Sequence, residues 1–278
     1  MNKLYFLFLV FLGACATQKT VQNSQKESTQ ETQTGANTQK NIHLIMFAAT
    51  QDKNQTIQNG SQANLTMVKQ LAEDAKKNGF NLSITEKTGN AFNKQTLLST
   101  ISNLNSKESD VILFHFTGHG KASNSTDANK KKCPELYVTN ATSSPPDWQK
   151  VTEDQLVNAY EIFDILSKRK HTLLVVFIES CADTAPSSSR TGGNIESPLR
   201  ANNIKELFED KDNILILSCE PKERSAINPN GGLATKAVIN TINTQNFSGS
   251  WRGLFNIFKN QVITDSKQQQ HPQLITKD

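Results

Sequence analysis

Two side chains in this sequence are best suited to covalent chemistry: a histidine set between glycines, and a cysteine just past an apolar run. Asp110 to Gly120 reads Asp-Val-Ile-Leu-Phe-His-Phe-Thr-Gly-His-Gly. This apolar, β-prone stretch ends where Gly118 and Gly120 free the backbone around His119. Thr172 to Ile178 is a second apolar run, and it ends in Glu179-Ser180-Cys181-Ala182-Asp183. One strand end offers a base and the other a thiol. Amide cleavage by a cysteine needs a thiolate, a base to generate it, and donors aimed at the developing oxyanion. His119 suits the base and Cys181 the nucleophile, while the N–H groups of Gly120 and Cys181 suit the oxyanion donors. The plainer alternative makes Cys181 a small buried hydrophobe and His119 a turn residue. Both lie outside the apolar runs, which weighs against it.

For these groups to meet, their strands must be neighbours in a parallel sheet, whose carboxyl ends gather on one rim. The hydrophobic pattern predicts such a sheet. Asn41 to Thr50 contains a buried-type strand in which His43, near its start, reads as a partly buried, packed or hydrogen-bonded residue. Gln51 to Gly60 reads as a polar loop, and Leu65, Val68, Leu71, Ala72 and Ala75 recur at helical spacing before an Asn78-Gly79 cap. Phe80 to Thr85 alternates as a strand, and Leu97, Leu98, Ile101 and Leu104 mark a helix. Asp110 to Thr117 therefore arrives third in a β-α-β-α-β series. After a lysine-rich loop comes a strand-like piece, Glu135 to Thr139. Thr152 or Glu153 opens a helix through Leu156, Val157, Tyr160, Ile162, Phe163 and Leu166. The run at Thr172 is the fourth main strand, and Thr184 to Pro198, containing Arg190, reads as a long loop. A short helix from Leu199 to Phe208 leads to a fifth strand, Asn213 to Leu217. Helices through Ala237 to Ile242 and from Trp251 to Ile263 precede an edge strand at Pro272 to Ile275. No glycine-rich phosphate loop follows the first strand, which weighs against a nucleotide enzyme. His115 and His119 stand four apart, about 13 Å on a strand, so no metal site is expected and His115 reads as packing.

The chain has 278 residues, with 30 basic and 26 acidic side chains giving a formal charge of +4. So small an excess argues against nucleic acid as the main partner, and Lys130-Lys131-Lys132 reads as a solvated loop. Lys3 followed by the apolar Leu4 to Leu12 is a short export signal, too short to span a bilayer as a stable helix. Leu12-Gly13-Ala14-Cys15 resembles the bacterial lipobox. That likeness implies a signal peptide over 1–14 and a lipid anchor on Cys15, with Ala16 favouring the outer membrane in enterobacteria-like sorting. Residues 15–40 lack large apolar side chains and read as a disordered tether, leaving 41–278 as the folded domain. Apart from Cys15, the cysteines are Cys133, Cys181 and Cys219. The odd number leaves at least one thiol free or paired between chains, and a Cys133–Cys219 pairing stays open.

Phe116-Thr117-Gly118-His119-Gly120 resembles the strand-end histidine motif of the caspase and metacaspase clan, and Phe177-Ile178-Glu179-Ser180-Cys181 its cysteine motif. The separation, 181 − 119 = 62 residues, is compatible with the roughly 50-residue spacing of caspases. Asn78-Gly79-Phe80, Ile216 to Cys219 with Ser225-Ala226, Gly232 to Thr235, and Gln270 to Leu274 follow the clan's order, so the likeness covers about Asn41 to Thr276. It implies an α/β fold, a three-layer sandwich with an about six-stranded, mostly parallel sheet and helices on both faces. It further implies peptide-bond cleavage by Cys181 and His119, with protein or peptide substrates. No cofactor is required, although calcium-dependent activation occurs in relatives.

The sequence also departs from the clan. Glu179 stands where metacaspases usually have aspartate, and Ala182-Asp183-Thr184 where they commonly have His-Ser-Gly. Glu179 either supplies charge for a basic P1 side chain or anchors the turn. The stretch around Ser225 is the candidate substrate-facing strand. Trp251, within Ser250-Trp251-Arg252, follows rather than precedes Gly232 to Thr235, and it reads as packing at a helix start. The altered residues after Cys181 also admit a catalytically silent module acting as a membrane-tethered binding or scaffold protein. Cleavage of the Thr184 to Pro198 loop is a further expectation if the enzyme is activated by processing.

Overall fold

The computed structural model describes residues 39–139, 146–182, 201–244, 247 and 249–277. The expectations for the signal segment, for Cys15 and for Thr184 to Pro198 lie outside them.

β1 (Asn41–Ala48) is followed by α1 (Gln55–Lys77) and β2 (Asn81–Lys87), then by α2 (Lys94–Ser102) and β3 (Val111–Gly118). A small excursion carries β4 (Gly120–Lys121), α3 (Ala128–Lys131), β5 (Glu135–Tyr137) and β6 (Leu156–Asn158), after which α4 (Ala159–Ser167) leads into β7 (Leu173–Ser180). α5 (Ala201–Glu209) and β8 (Asn213–Leu217) come next, then the hairpin of β9 (Ile227–Asn228) and β10 (Gly231–Gly232). α6 (Leu233–Thr244), α7 (Trp251–Asp265) and β11 (Gln273–Thr276) complete the order.

The main sheet runs β2-β1-β3-β7-β8-β11, parallel throughout except for β11, which pairs antiparallel with β8. β3 and β7 are central and covered on both faces, which is why their sequences are nearly continuous apolar runs. β2 is an edge, mostly open to solvent, and carries Glu86 and Lys87. Alternate side chains of each strand serve two cores. Leu44, Met46, Leu113 and Val175 pack under α1, α5, α6 and α7. Ile45, Phe114, Phe116 and Val176 pack under α2, α4 and the inner side of the β4–β5–β6 sheet. Helices thus cover both faces of a six-stranded, mostly parallel sheet, the α/β sandwich that the resemblance implied. Among the described residues no helix is long and apolar enough to cross a membrane.

Two expectations need correction, and one open pairing is decided. The stretch Gln51 to Gly60 is only half loop, because α1 begins at Gln55, where the Asn54 side chain accepts the Thr56 amide at 2.9 Å. Its first turns bury Ile57, Gly60, Ser61 and Asn64, so the helical stripe starts in small and polar residues rather than large apolar ones. Leu156 to Asn158 is a strand, not the start of a helix. Its pairing with β5 overrides the helical spacing, and α4 begins after Asn158, whose side chain caps Tyr160 N at 2.9 Å. Cys133 and Cys219 are both free and buried, so they do not pair with each other. Trp251 opens α7 and is buried, as expected of helix-start packing.

His43 is hydrogen-bonded, its Nε2 lying 3.0 Å from Asp110 Oδ2. His115 is fully buried beside Phe177, with ring centroids 5.2 Å apart. Burial lowers its pKa to about 3, an effect partly offset by the Phe177 backbone. The unfolded chain takes up this proton from about pH 6.5 downward, the folded chain only near 3, so acid favours unfolding. Between pH 7 and pH 5 His115 should account for about 2 kcal/mol of lost stability. His115→Leu should remove that component from urea-unfolding curves at the two pH values. An unchanged slope would contradict it.

Candidate active site

The two strands that deliver His119 and Cys181 are direct neighbours. β3 and β7 pair in register through Thr117↔Glu179 and Gly118↔Ser180, so one further step sets His119 opposite Cys181 at the carboxyl rim. Alternation along a strand puts Thr117, Glu179 and the two rim residues toward the same side of the sheet. There Thr117 Oγ1 accepts Asn64 Nδ2 from α1 at 2.9 Å. The approach beyond the ladder is tight: a Cβ on Gly120 would lie 2.5 Å from the Cys181 carbonyl oxygen and 2.9 Å from Ser180 Oγ. Only a residue without a side chain fits there.

The rim holds a third group that sequence reasoning passed over. Asp52 Oδ2 lies 2.8 Å from His119 Nε2, and both residues are buried. The second Asp52 oxygen accepts the Asn54 amide at 2.8 Å. Asp52 sits in the β1–α1 connection, and β1 continues against β3 past its last pair through Ala49 N to Thr117 O at 3.0 Å. The chain leaves β1 toward β2 and returns across it to β3, so this is the point where the strand order reverses, where open α/β sheets place their sites. The signal available in the sequence was an acidic residue just past the first buried strand. With the tautomer assigned from this hydrogen bond, Nε2 carries the proton that Asp52 accepts, and Nδ1 is the basic nitrogen.

Cys181 is half-buried, and its Sγ lies 3.7 Å from the Ser225 carbonyl oxygen. Its neighbours are fixed on both sides. Ser218 Oγ accepts Ser180 N at 3.2 Å and donates to Ser180 O at 3.1 Å. Ala182 N donates to Glu223 O at 2.9 Å, and Lys222 N to Ala182 O at 2.8 Å. Gln270, fully buried, accepts Ala226 N at 2.8 Å and donates to Ser218 O at 2.8 Å, which clasps the Ser225 segment to the end of β8. His271 adds two bonds to Glu223, from N to Oε2 at 2.8 Å and between Nδ1 and Oε1 at 2.6 Å.

Glu179 lies beneath this rim with its carboxylate occupied. Ser225 Oγ donates to Oε1 at 2.5 Å, and Thr235 donates to Oε2 through N at 2.7 Å and Oγ1 at 2.9 Å. Burial raises its pKa, against the lowering pull of those donors. The other two described thiols are buried. Burial pushes Cys133 up to about 12 and Cys219 well above the usual thiol range. Among the described residues no group of three or more His, Cys, Asp or Glu side chains is arranged to hold a metal ion.

A family model described as the caspase domain matches residues 68–278, a span that contains His119, Gly120, Glu179, Cys181 and Ser225. A crystal structure of a protein from Geobacter sulfurreducens is similar at a TM-score of 0.50 and 14% identity, over 85% of this chain and 93% of that one. At that identity the likeness is one of fold. No curated protein matches the chain.

Proposed function

The chain belongs to the caspase-domain family, and from that premise we propose that it is a cysteine endopeptidase in which Cys181 is the nucleophile and His119 the base. The observation that carries this reading is the meeting of the β3 and β7 ends, with His119 held by Asp52. In the proposed cycle the Cys181 proton passes to His119 Nδ1, and the thiolate forms a C–S bond to the scissile carbonyl carbon. The carbonyl π pair moves onto oxygen, where the N–H groups of Gly120 and Cys181 meet the charge. Collapse breaks the C–N bond, and the leaving amine takes the proton from His119. Water, deprotonated by the same nitrogen, then hydrolyses the thioester, releasing the acid and restoring the thiol.

Ser225 and Glu179 lie on the acyl side in this reading. The Glu179 carboxylate, already carrying three donors, would act on a P1 side chain through its field and through Ser225 rather than as a direct ion pair. The lipobox-like Leu12 to Cys15 supports export and a lipid anchor on Cys15, which would keep the enzyme on a membrane facing away from the cytoplasm.

An electrophilic peptidyl ketone should alkylate a single cysteine of the native protein, with mass mapping placing it on Cys181 and leaving the buried Cys133 and Cys219 unmodified. Absence of labelling, or labelling elsewhere, would favour the silent scaffold instead.

A further inference from the structure

The general acid that protonates a leaving amine stands beside it, so the leaving half of a bound peptide must depart over the His119 side of the rim. That side is built by the small β4–β5–β6 sheet. His119 O accepts the Tyr137 amide at 3.0 Å, and Lys121 pairs across to Glu135, which pairs in turn to Asn158. By alternation, His119, Lys121 and Tyr137 point to the same, outer face of this sheet, away from the core that Leu136 and Val157 join. Tyr137 meets Trp148 edge-on at 5.9 Å, and Lys121 Nζ lies over the Trp148 ring, 5.7 Å from its centroid. Beyond Lys121 a cavity of about 420 Å³ opens, whose charged lining is mixed: Lys94, Lys121 and Lys130 with Glu135, Glu153 and Glu161.

The charge on Lys121 is the informative feature. Its cross-strand neighbour Glu135 is already engaged by Ser123 Oγ at 2.7 Å and Asn158 Nδ2 at 2.9 Å. Among the described residues no carboxylate lies within ion-pair distance of Lys121, and its ammonium, braced by the Trp148 ring, lines that cavity. Lys121 stands two residues from His119, about 7 Å along an extended strand, which is within reach of the first three residues of a leaving peptide. Resting on the peptidase reading above, we propose that Lys121, held by Trp148, is a specificity determinant for the leaving side. It selects peptides with an acidic residue among the first three positions after the scissile bond.

Two measurements test this on the full chain. New amino termini generated from a random peptide pool should be enriched about three- to fivefold in Asp or Glu over Lys or Arg within their first three positions. Lys121→Glu should reverse that ratio, and a ratio unmoved by the substitution would overturn the proposal. The second measurement needs no turnover. The chain has two tryptophans, and Trp251 is buried, so binding near Trp148 can be read from fluorescence. The tripeptide Ala-Glu-Ala should quench Trp148 at a concentration about three- to fivefold lower than Ala-Lys-Ala, with the order inverted in Lys121→Glu. Equal responses to the two tripeptides would sink the proposal. If wild type cleaves no peptide the peptidase reading fails, while the tripeptide titration still decides whether Lys121 recognises an acidic segment.

Discussion

His119→Ala should lower kcat for peptide cleavage by about 10³- to 10⁴-fold, and Asp52→Asn by about 10- to 100-fold, with KM changing less than threefold in the second. The split follows from where each group acts. In the proposed cycle His119 moves the proton in every step, so its loss would remove the base and the acid together. Asp52 sits on the Nε2 side of the ring, opposite the nitrogen proposed to take the proton. It holds the imidazole by the 2.8 Å contact to Nε2 and stabilises the positive charge that the ring acquires. An asparagine keeps the shape, but it can offer its NH₂ to Nε2 and so favour the wrong tautomer. Asp52→Glu, which retains the charge on a longer stem, should recover part of the loss. Steady-state kinetics of the three variants would decide the matter, and Asp52→Asn within twofold of wild type would exclude a positioning role. His119→Ala carries a second cost, because it leaves the buried Asp52 carboxylate without its ring partner. About 1–3 kcal/mol of stability should go with it, read from urea unfolding.

Gly120→Ala should cost about 10²- to 10³-fold in kcat although the thiol and the imidazole are both still present. The added methyl would come within 2.5 Å of the Cys181 carbonyl oxygen, a backbone atom that cannot swing aside. Either the β3 end or the β7 end must move, and the two N–H groups proposed to meet the oxyanion belong to those ends. Gly118→Ala is the contrast. Its methyl would meet Ala49 Cβ at 3.2 Å and the Phe116 ring at 3.3 Å, side chains that can yield by tenths of an ångström. It should lose no more than about 1–3 kcal/mol of stability, with activity falling far less. Comparable kcat losses in both variants would show that the Gly120 contact is not special.

The parts of this molecule legible in the sequence are those whose physics is local. β3 and β7 are buried on both faces, so their composition alone marks them, and the residues that end those runs mark the rim. Leu156 to Asn158 reads as helix because its side chains continue the spacing of α4. What makes it a strand is the edge of β5, which no local window contains. Asp52 was hidden for a related reason. Its partner is 119 − 52 = 67 residues away, and among the polar residues of Gln51 to Gly60 nothing nearby distinguishes it. The order of Gln270 and His271 in the chain is legible, but their hold on Ala226, Ser218 and Glu223 appears only when β11 is laid against β8.

The Gln270 clasp also sets a clock. Gln270 lies 270 − 181 = 89 residues beyond Cys181, so a growing chain carries the proposed nucleophile well before the residue that ties down the segment against it. At about 5–20 residues per second, roughly 4–18 s of synthesis separate the two. Until Gln270 is made, the Ser225 segment lacks the two bonds that join Ala226 and Ser218 through that side chain. On the proposed reading, the acyl side is therefore complete only once the closing strand has been made.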